Sequence, residues 1–147
     1  IRRQRQMCIR DRNVDEEALC RRYRDGKASI SGYSEDYAFL VWGLLELFQV
    51  DGDPGWIDWA LRLQRRQDEL FWDSKHGGWF STTGNDPCVL LRMKEDYDGA
   101  EPSAGSVSAM NLLTFLHLTG DENIRQKLER ALALLFLRDA PPRGCAL

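Results

Sequence analysis

The chain lacks the residue patterns that mark several large classes of function. No two of its four cysteines (Cys8, Cys20, Cys88 and Cys145) form a Cys-x-x-Cys unit, which excludes a dithiol redox motif and a zinc knuckle from this sequence. There are only two histidines, His76 and His117. No His/Cys/Asp cluster stands at ligand spacing, so neither a metal nor a cofactor is expected. No Gly-rich phosphate loop comes after a strand pattern. No apolar run approaches the roughly 20 residues of a membrane span, and no basic-then-apolar-then-small start of the secretory kind is present. A large excess of either sign is missing as well: a net charge of -3 and a pI near 5.4 give no electrostatic reason to expect nucleic acid. The expectation is a soluble cytoplasmic protein with neither a nucleic-acid nor a membrane partner.

The residues that are present can fold. With 147 residues, 43% hydrophobic and 29% charged, the chain fits one domain with a packed core. Its ends are unlike its middle. Residues 1–12 carry five arginines and no apolar periodicity, and the run QMCIRDR resembles translated adapter sequence. We expect a non-native or disordered extension there, with a basic arm for nucleic acid or a membrane as the competing reading. After the last helical pattern, residues 139–147 pass through Asp139-Ala140-Pro141-Pro142 and are expected to be a disordered or truncated tail. The folded part is then 13–138, and the chain is expected to be a fragment.

Hydrophobic periodicity predicts helices throughout that part. Residues 13–26 read as a short helix between Asn13 as N-cap and Gly26 as stop, leading into a small-residue linker. Ser34 is expected to cap a second helix in which Tyr37, Val41, Leu44 and Phe48 line one face and Phe39, Trp42 and Leu45 another. A helix apolar nearly all round is buried nearly all round. Asp51-Gly52-Asp53-Pro54 supplies a left-handed stop, an N-cap and a first-turn proline. The next helix is amphipathic, with Trp56, Ala60, Leu63, Gln67 and Leu70 opposite Arg62, Arg65, Arg66 and Glu69.

The unit then repeats. Ser103 opens another all-round apolar helix, Thr119-Gly120-Asp121 repeats the stop, and a second amphipathic helix carries Ile124, Leu128, Ala131, Leu132 and Leu135 inward. Leu112-Leu113 stands to Gly120 as Leu44-Leu45 stands to Gly52. Stacked hairpins of this kind, buried helices inside and amphipathic ones outside, make a toroid or a solenoid. Between the two units, residues 77–82 and 89–93 flank a turn-rich segment and predict a short β-hairpin. The fold class is therefore mainly α, antiparallel helical hairpins with one small β-hairpin.

Chemistry concentrates in Lys94-Glu95-Asp96-Tyr97-Asp98-Gly99-Ala100-Glu101-Pro102-Ser103. Paired carboxylates serve glycoside cleavage as acid and base or nucleophile, and they also bind sugar hydroxyls beside an aromatic platform. Asp96, Asp98 and Glu101 are the candidate catalytic residues. Asp36, Tyr37, Tyr97, Trp79 and Lys94 are the candidate substrate-binding residues, with no metal. The competing account is structural: acidic residues ahead of a helix stabilise its positive end by about 0.3–1 kcal/mol each, and loop carboxylates are often merely solvated.

Three stretches carry a resemblance. Ser34-Glu35-Asp36-Tyr37-Ala38-Phe39-Leu40, then Leu70-Phe71-Trp72-Asp73 with Gly77-Gly78-Trp79-Phe80, then Leu91-Arg92-Met93 running into the acidic loop as far as Ser103, resemble the thioredoxin-domain family related to spermatogenesis-associated protein 20. The resemblance covers about residues 14–138. It implies a longer protein with a thioredoxin-like domain ahead of an (α/α)6 barrel similar to six-hairpin glycosidases and N-acylglucosamine 2-epimerases. Only part of that barrel would lie in this chain, with the ligand pocket at the mouth of the inner helices. After Pro-Ser the family pattern continues with glycine and asparagine, whereas here it reads Ala104-Gly105-Ser106. Epimerases of the related group use histidines, and neither His76 nor His117 falls in a matching motif. Two functions result as expectations: a carbohydrate-active or carbohydrate-binding barrel whose partner is a small sugar, or a non-catalytic scaffold that docks a thioredoxin-like domain or another protein.

Overall fold

The computed structural model describes residues 19–24, 27–84, 89–95 and 97–139, the side chains of 22–24, 27–29 and 135–139 excepted. It is mainly helical. Strands β1 (Cys20–Arg24) and β2 (Lys27–Ser31) pair antiparallel, with Cys20 opposite Ser31 and Arg24 opposite Lys27. After them come four helices: α1 (Ser34–Asp51), α2 (Pro54–Phe71), α3 (Ala104–Thr119) and α4 (Glu122–Asp139).

The punctuation of the sequence explains where the helices stop and start. Gly52 ends α1 in the left-handed region at φ 71°, and its N–H donates to the Phe48 carbonyl at 2.8 Å. Asp53 then caps α2, its Oδ1 accepting from Gly55 N at 2.9 Å, and Pro54 occupies the first turn where a missing N–H costs nothing. Gly120 ends α3 in the same way at φ 66°, with its N–H donating to the Leu116 carbonyl. Asp121 comes next, accepting from Asn123 N. Turns this short return the chain beside itself, so α1/α2 and α3/α4 are antiparallel hairpins. The hairpins meet through their first helices: α1 packs on α2 and on α3, and α3 packs on α4.

The core runs through all four helices. Tyr37, Val41, Leu44, Ala60, Leu63, Phe71, Leu112, Phe115, Leu128 and Ala131 are buried together, with Trp79 from the connecting segment. A polar thread crosses it. Gln67 Nε2 of α2 donates to Ser34 O and Ser34 Oγ of α1, both at 3.1 Å, and to Ser108 Oγ of α3 at 2.8 Å. Asn111 of α3 donates to the Ala38 carbonyl of α1 at 2.9 Å.

Four expectations are corrected. The helix expected over 13–26 is a strand wherever it is described as regular structure, since residues 20–24 are β1; residues 13–18, 25 and 26 lie outside the described residues. The expected linker after it is β2, because residues 27–31 give β1 a partner. Ser34 is not the cap of α1 but its first residue. Its hydroxyl faces the core and meets Gln67, while Tyr33 takes the cap position and donates its N–H to Asp36 Oδ2 at 2.8 Å. Among the described residues, the β-hairpin expected over 77–82 and 89–93 is not formed; residues 85–88 of its turn lie outside them. Those segments are held by Ser81 N donating to the Met93 carbonyl and by an isolated bridge between Trp72 and Trp79.

The two apolar helices also depart from burial on all sides. Trp42, Leu47 and Val50 on α1 are exposed, as are Met110, Leu113 and Leu118 on α3. No helix among the described residues is long and apolar enough to cross a membrane.

Candidate functional site

The segment between the hairpins is built around Asp73. Its Oδ1 accepts from the backbone N–H groups of Lys75 and His76, and its Oδ2 from Lys94 Nζ at 2.8 Å, with His76 Nδ1 at 3.2 Å. Burial raises the Asp73 pKa, but the Lys94 ammonium, the two backbone N–H groups and His76 outweigh it, and the carboxyl is held well below the usual carboxylate range. Lys94 also donates to the Gly77 carbonyl and lies 5.0 Å from the centre of the Phe80 ring. Gly77 and Gly78 are both left-handed, at φ 80° and 73°. A side chain at either would press on α4, because a Cβ would lie 2.8 Å from the Arg130 carbonyl oxygen at Gly77 and 2.7 Å from Leu134 Cδ2 at Gly78.

With Lys94 anchored on this turn, the chain beyond it reaches the N-terminal ends of α1 and α3. There it borders an open pocket of about 440 Å³ lined by Glu35, Phe39, Lys94, Glu95, Tyr97, Glu101, Pro102, Ser103 and Ala104. Three carboxylates and two aromatic rings therefore share one hollow. Glu35 pairs with Arg21, which also reaches Asp36 Oδ2 at 3.1 Å and lies over the Tyr33 ring.

The sequence-predicted residues divide into three groups. Glu101, Tyr97 and Lys94 line the pocket. Asp98 and Asp36 face helix ends instead. Asp98 Oδ1 accepts from Ser103 N at 2.7 Å and its Oδ2 from Ser106 Oγ at 2.9 Å. The Ser103 N–H and then the Ser106 hydroxyl hold its carboxyl below the usual range, so it meets α3's positive end as an anion. Asp36 takes the Tyr33 N–H at α1. Tyr37 and Trp79 are core residues: Tyr37 is 1% exposed with its hydroxyl accepting from Leu19 N at 3.0 Å, and burial raises its pKa. Trp79 Nε1 donates to Asp68 Oδ1 at 2.8 Å, and its ring meets Trp72 edge to face at 5.0 Å. Asp96 lies outside the described residues.

Glu35, Glu95 and Phe39 also line the pocket, and sequence reasoning did not single them out as site residues. For Glu35 and Phe39 the available signal was their spacing: four apart on α1, they share one face of that helix beside Asp36. Among the described residues, no group of three or more His, Cys, Asp or Glu could hold a metal ion. His76 is largely exposed and engaged with Asp73, and His117 is exposed in the last turn of α3.

No protein-family model matches the chain. Curated relatives do. Spermatogenesis-associated protein 20 of Homo sapiens is 52% identical over 97 residues, which is 65% of this chain and 12% of that protein. The Rattus norvegicus protein of the same name is 52% identical over 99 residues, again 65% of this chain and 12% of the relative. An uncharacterised protein of Caenorhabditis elegans is 38% identical over 102 residues, 69% of this chain and 14% of the relative. The chain thus matches about an eighth of the length of these relatives.

Proposed function

We propose that the two hairpins are part of an (α/α)6 barrel of the six-hairpin glycosidase or N-acylglucosamine 2-epimerase kind, in a longer protein that also carries a thioredoxin-like domain, and that the pocket at the N-terminal ends of α1 and α3 binds a carbohydrate. The observation that carries this reading is the convergence of Glu35, Glu95 and Glu101 with Phe39 and Tyr97 on one hollow. Carboxylates accept hydrogen bonds from sugar hydroxyls, and an aromatic face covers the apolar side of the ring. Any turnover in this pocket would be acid–base work by those glutamates. Asp98 and Asp36 support the site by holding the two helix ends that frame it. The repeated hairpin, with α1 and α3 adjacent, is the arrangement from which an inner ring of helices is built.

The test is calorimetric titration of the full-length protein with mono- and disaccharides, wild type beside Glu101→Ala and Tyr97→Ala. Both residues are exposed, so truncation should leave the fold intact. Binding that is lost in both variants at unchanged melting temperature is the expected result. Absence of binding to any sugar would defeat the reading.

A second reading has its own support. The apolar side chains exposed on α1 and α3 suit a scaffold that docks a thioredoxin-like domain or another protein. Failure of every sugar, together with a thioredoxin-like domain bound through Leu47 and Met110, would establish it in place of the first.

A further inference from the structure

We infer that the chain carries two different docking flanks, one on α1 and one on α3, and that each receives the other from a second copy, so that copies add head to tail. The inference rests on the repeated hairpin and not on what the pocket binds. Within one chain the structure already shows the contact in question. Asn111 of α3 donates to the Ala38 carbonyl of α1. The α1 flank that carries Ala38 and, seven residues on, Leu45 therefore meets the α3 flank that carries Asn111 and Phe115. All four are buried, Leu45 at 3% exposure and Phe115 at 0%.

The register that sets Gly52 on Gly120 puts the same two flanks on the opposite helices. Ala38 and Leu45 correspond to Ser106 and Leu113 of α3, and Asn111 and Phe115 correspond to Gly43 and Leu47 of α1. These are the uncovered sides. Leu113 is 38% exposed and Leu47 45%, although each occupies a position that is buried in the other helix. The open flank of α3 thus repeats the surface that α1 offers to α3, and the open flank of α1 repeats the surface that α3 offers to α1. A contact between unlike patches leaves one flank free at each end of the assembly.

Gly43 is an independent sign. It is exposed in the middle of the 18-residue α1, where glycine weakens a helix relative to alanine. A Cβ there would meet no other part of the fold within 4 Å. Its counterpart Asn111 is the residue that reaches the neighbouring backbone. A glycine at that point lets the backbone of another helix come close.

The experiment is sedimentation velocity on the wild-type chain and on two single variants, Leu47→Lys on the α1 flank and Leu113→Lys on the α3 flank. The variants are run alone and mixed in equal amounts. Neither residue belongs to the buried core, and melting temperatures equal to wild type check the fold. Where a variant melts lower, Gly43→Lys on α1 or Met110→Lys beside Leu113 on α3 takes its place. Wild type is expected to grow past a dimer as concentration rises. Each single variant is expected to sediment as a monomer of 17.0 kDa, since every copy lacks the same flank. The mixture should form a 1:1 pair of twice that mass and nothing larger, because each variant keeps the flank that the other has lost. Single variants that still dimerise would mean that each flank meets its own kind, and the inference falls. A mixture that stays monomeric, or a wild type monomeric at every concentration, overturns it too. No ligand enters the experiment, so none of these outcomes touches the carbohydrate reading of the pocket.

Discussion

Asp73 organises the segment between the hairpins by satisfying its neighbours. Its two oxygens take the backbone N–H groups of Lys75 and His76 and the ammonium of Lys94, in a place where the side chains of Asp73 and Lys94 are 11% and 16% exposed. Removing the charge leaves Lys94 facing polar groups without a counter-ion, which is the costly way to break such a pair. Asp73→Asn should therefore lower stability by about 2–3 kcal/mol at neutral pH. The dependence on pH is set by the direction of the shift. The Asp73 pKa is depressed in the folded chain, so its contribution is complete above the ordinary carboxylate value near 3.9. Below that value it is lost as pH falls through the folded one. Thermal melts of wild type and Asp73→Asn should differ at pH 7 and converge under strong acid; a constant difference would show that the charge is not what matters. Lys94 was legible in the sequence as a residue of interest, but its partner was not. The bond joins positions 21 apart through a turn whose two left-handed glycines are set by contact with α4, and no local pattern encodes that contact.

At the scale of elements, the helices are joined by polar contacts as well as by apolar ones. Gln67 touches α1 and α3 from α2, donating to two hydroxyls and a carbonyl that are all buried. Gln64 in turn donates to Gln67 Oε1 at 3.0 Å. Replacing Gln67 with leucine keeps the volume and strands those partners, at a cost of about 2–3 kcal/mol. Ser108→Ala should cost less, about 1 kcal/mol, since it removes one acceptor and leaves Gln67 two others. Urea denaturation of the two single variants and the double variant checks both values. The double should be no worse than Gln67→Leu alone, because both remove the same network. Helix ends were readable because their signals are local: Gly52 and Gly120 take the left-handed stop, and Asp53 and Ser103 cap α2 and α3. The strands were not. Cys20-Arg21-Arg22-Tyr23-Arg24 has no alternation to announce a sheet, and it becomes one by pairing with Lys27–Ser31 while the Leu19 backbone meets Tyr37 and Gly32. The pocket was half legible. Glu101, Tyr97 and Lys94 lie in one stretch of sequence, whereas Glu35 and Phe39 arrive from α1 only once α1 and α3 pack together.

Across the whole molecule, the distribution of apolar surface is uneven in a way that bears on behaviour in solution. α2 and α4 turn charged residues outward, while α1 and α3, the helices most apolar in composition, leave Trp42, Leu47 and Val50, and Met110, Leu113 and Leu118, exposed. Leu90, Leu91 and Met93 of the connecting segment are exposed as well. Single exposed apolar residues are ordinary, but several on adjoining helices are the mark of a face that meets something. The matched stretch is only 12% of the length of the mammalian relatives. The 147-residue chain made alone should therefore self-associate through these helices. Sedimentation velocity across a range of concentrations should show mass rising with concentration. Leu47→Lys together with Met110→Lys should return it to a monomer, with little change in melting temperature because neither side chain belongs to the buried core. A cooperative, monodisperse monomer at all concentrations would mean that the two central helices need no cover. The proposed barrel would then lose support, since a ring of hairpins stands only if each inner helix is incomplete without the next.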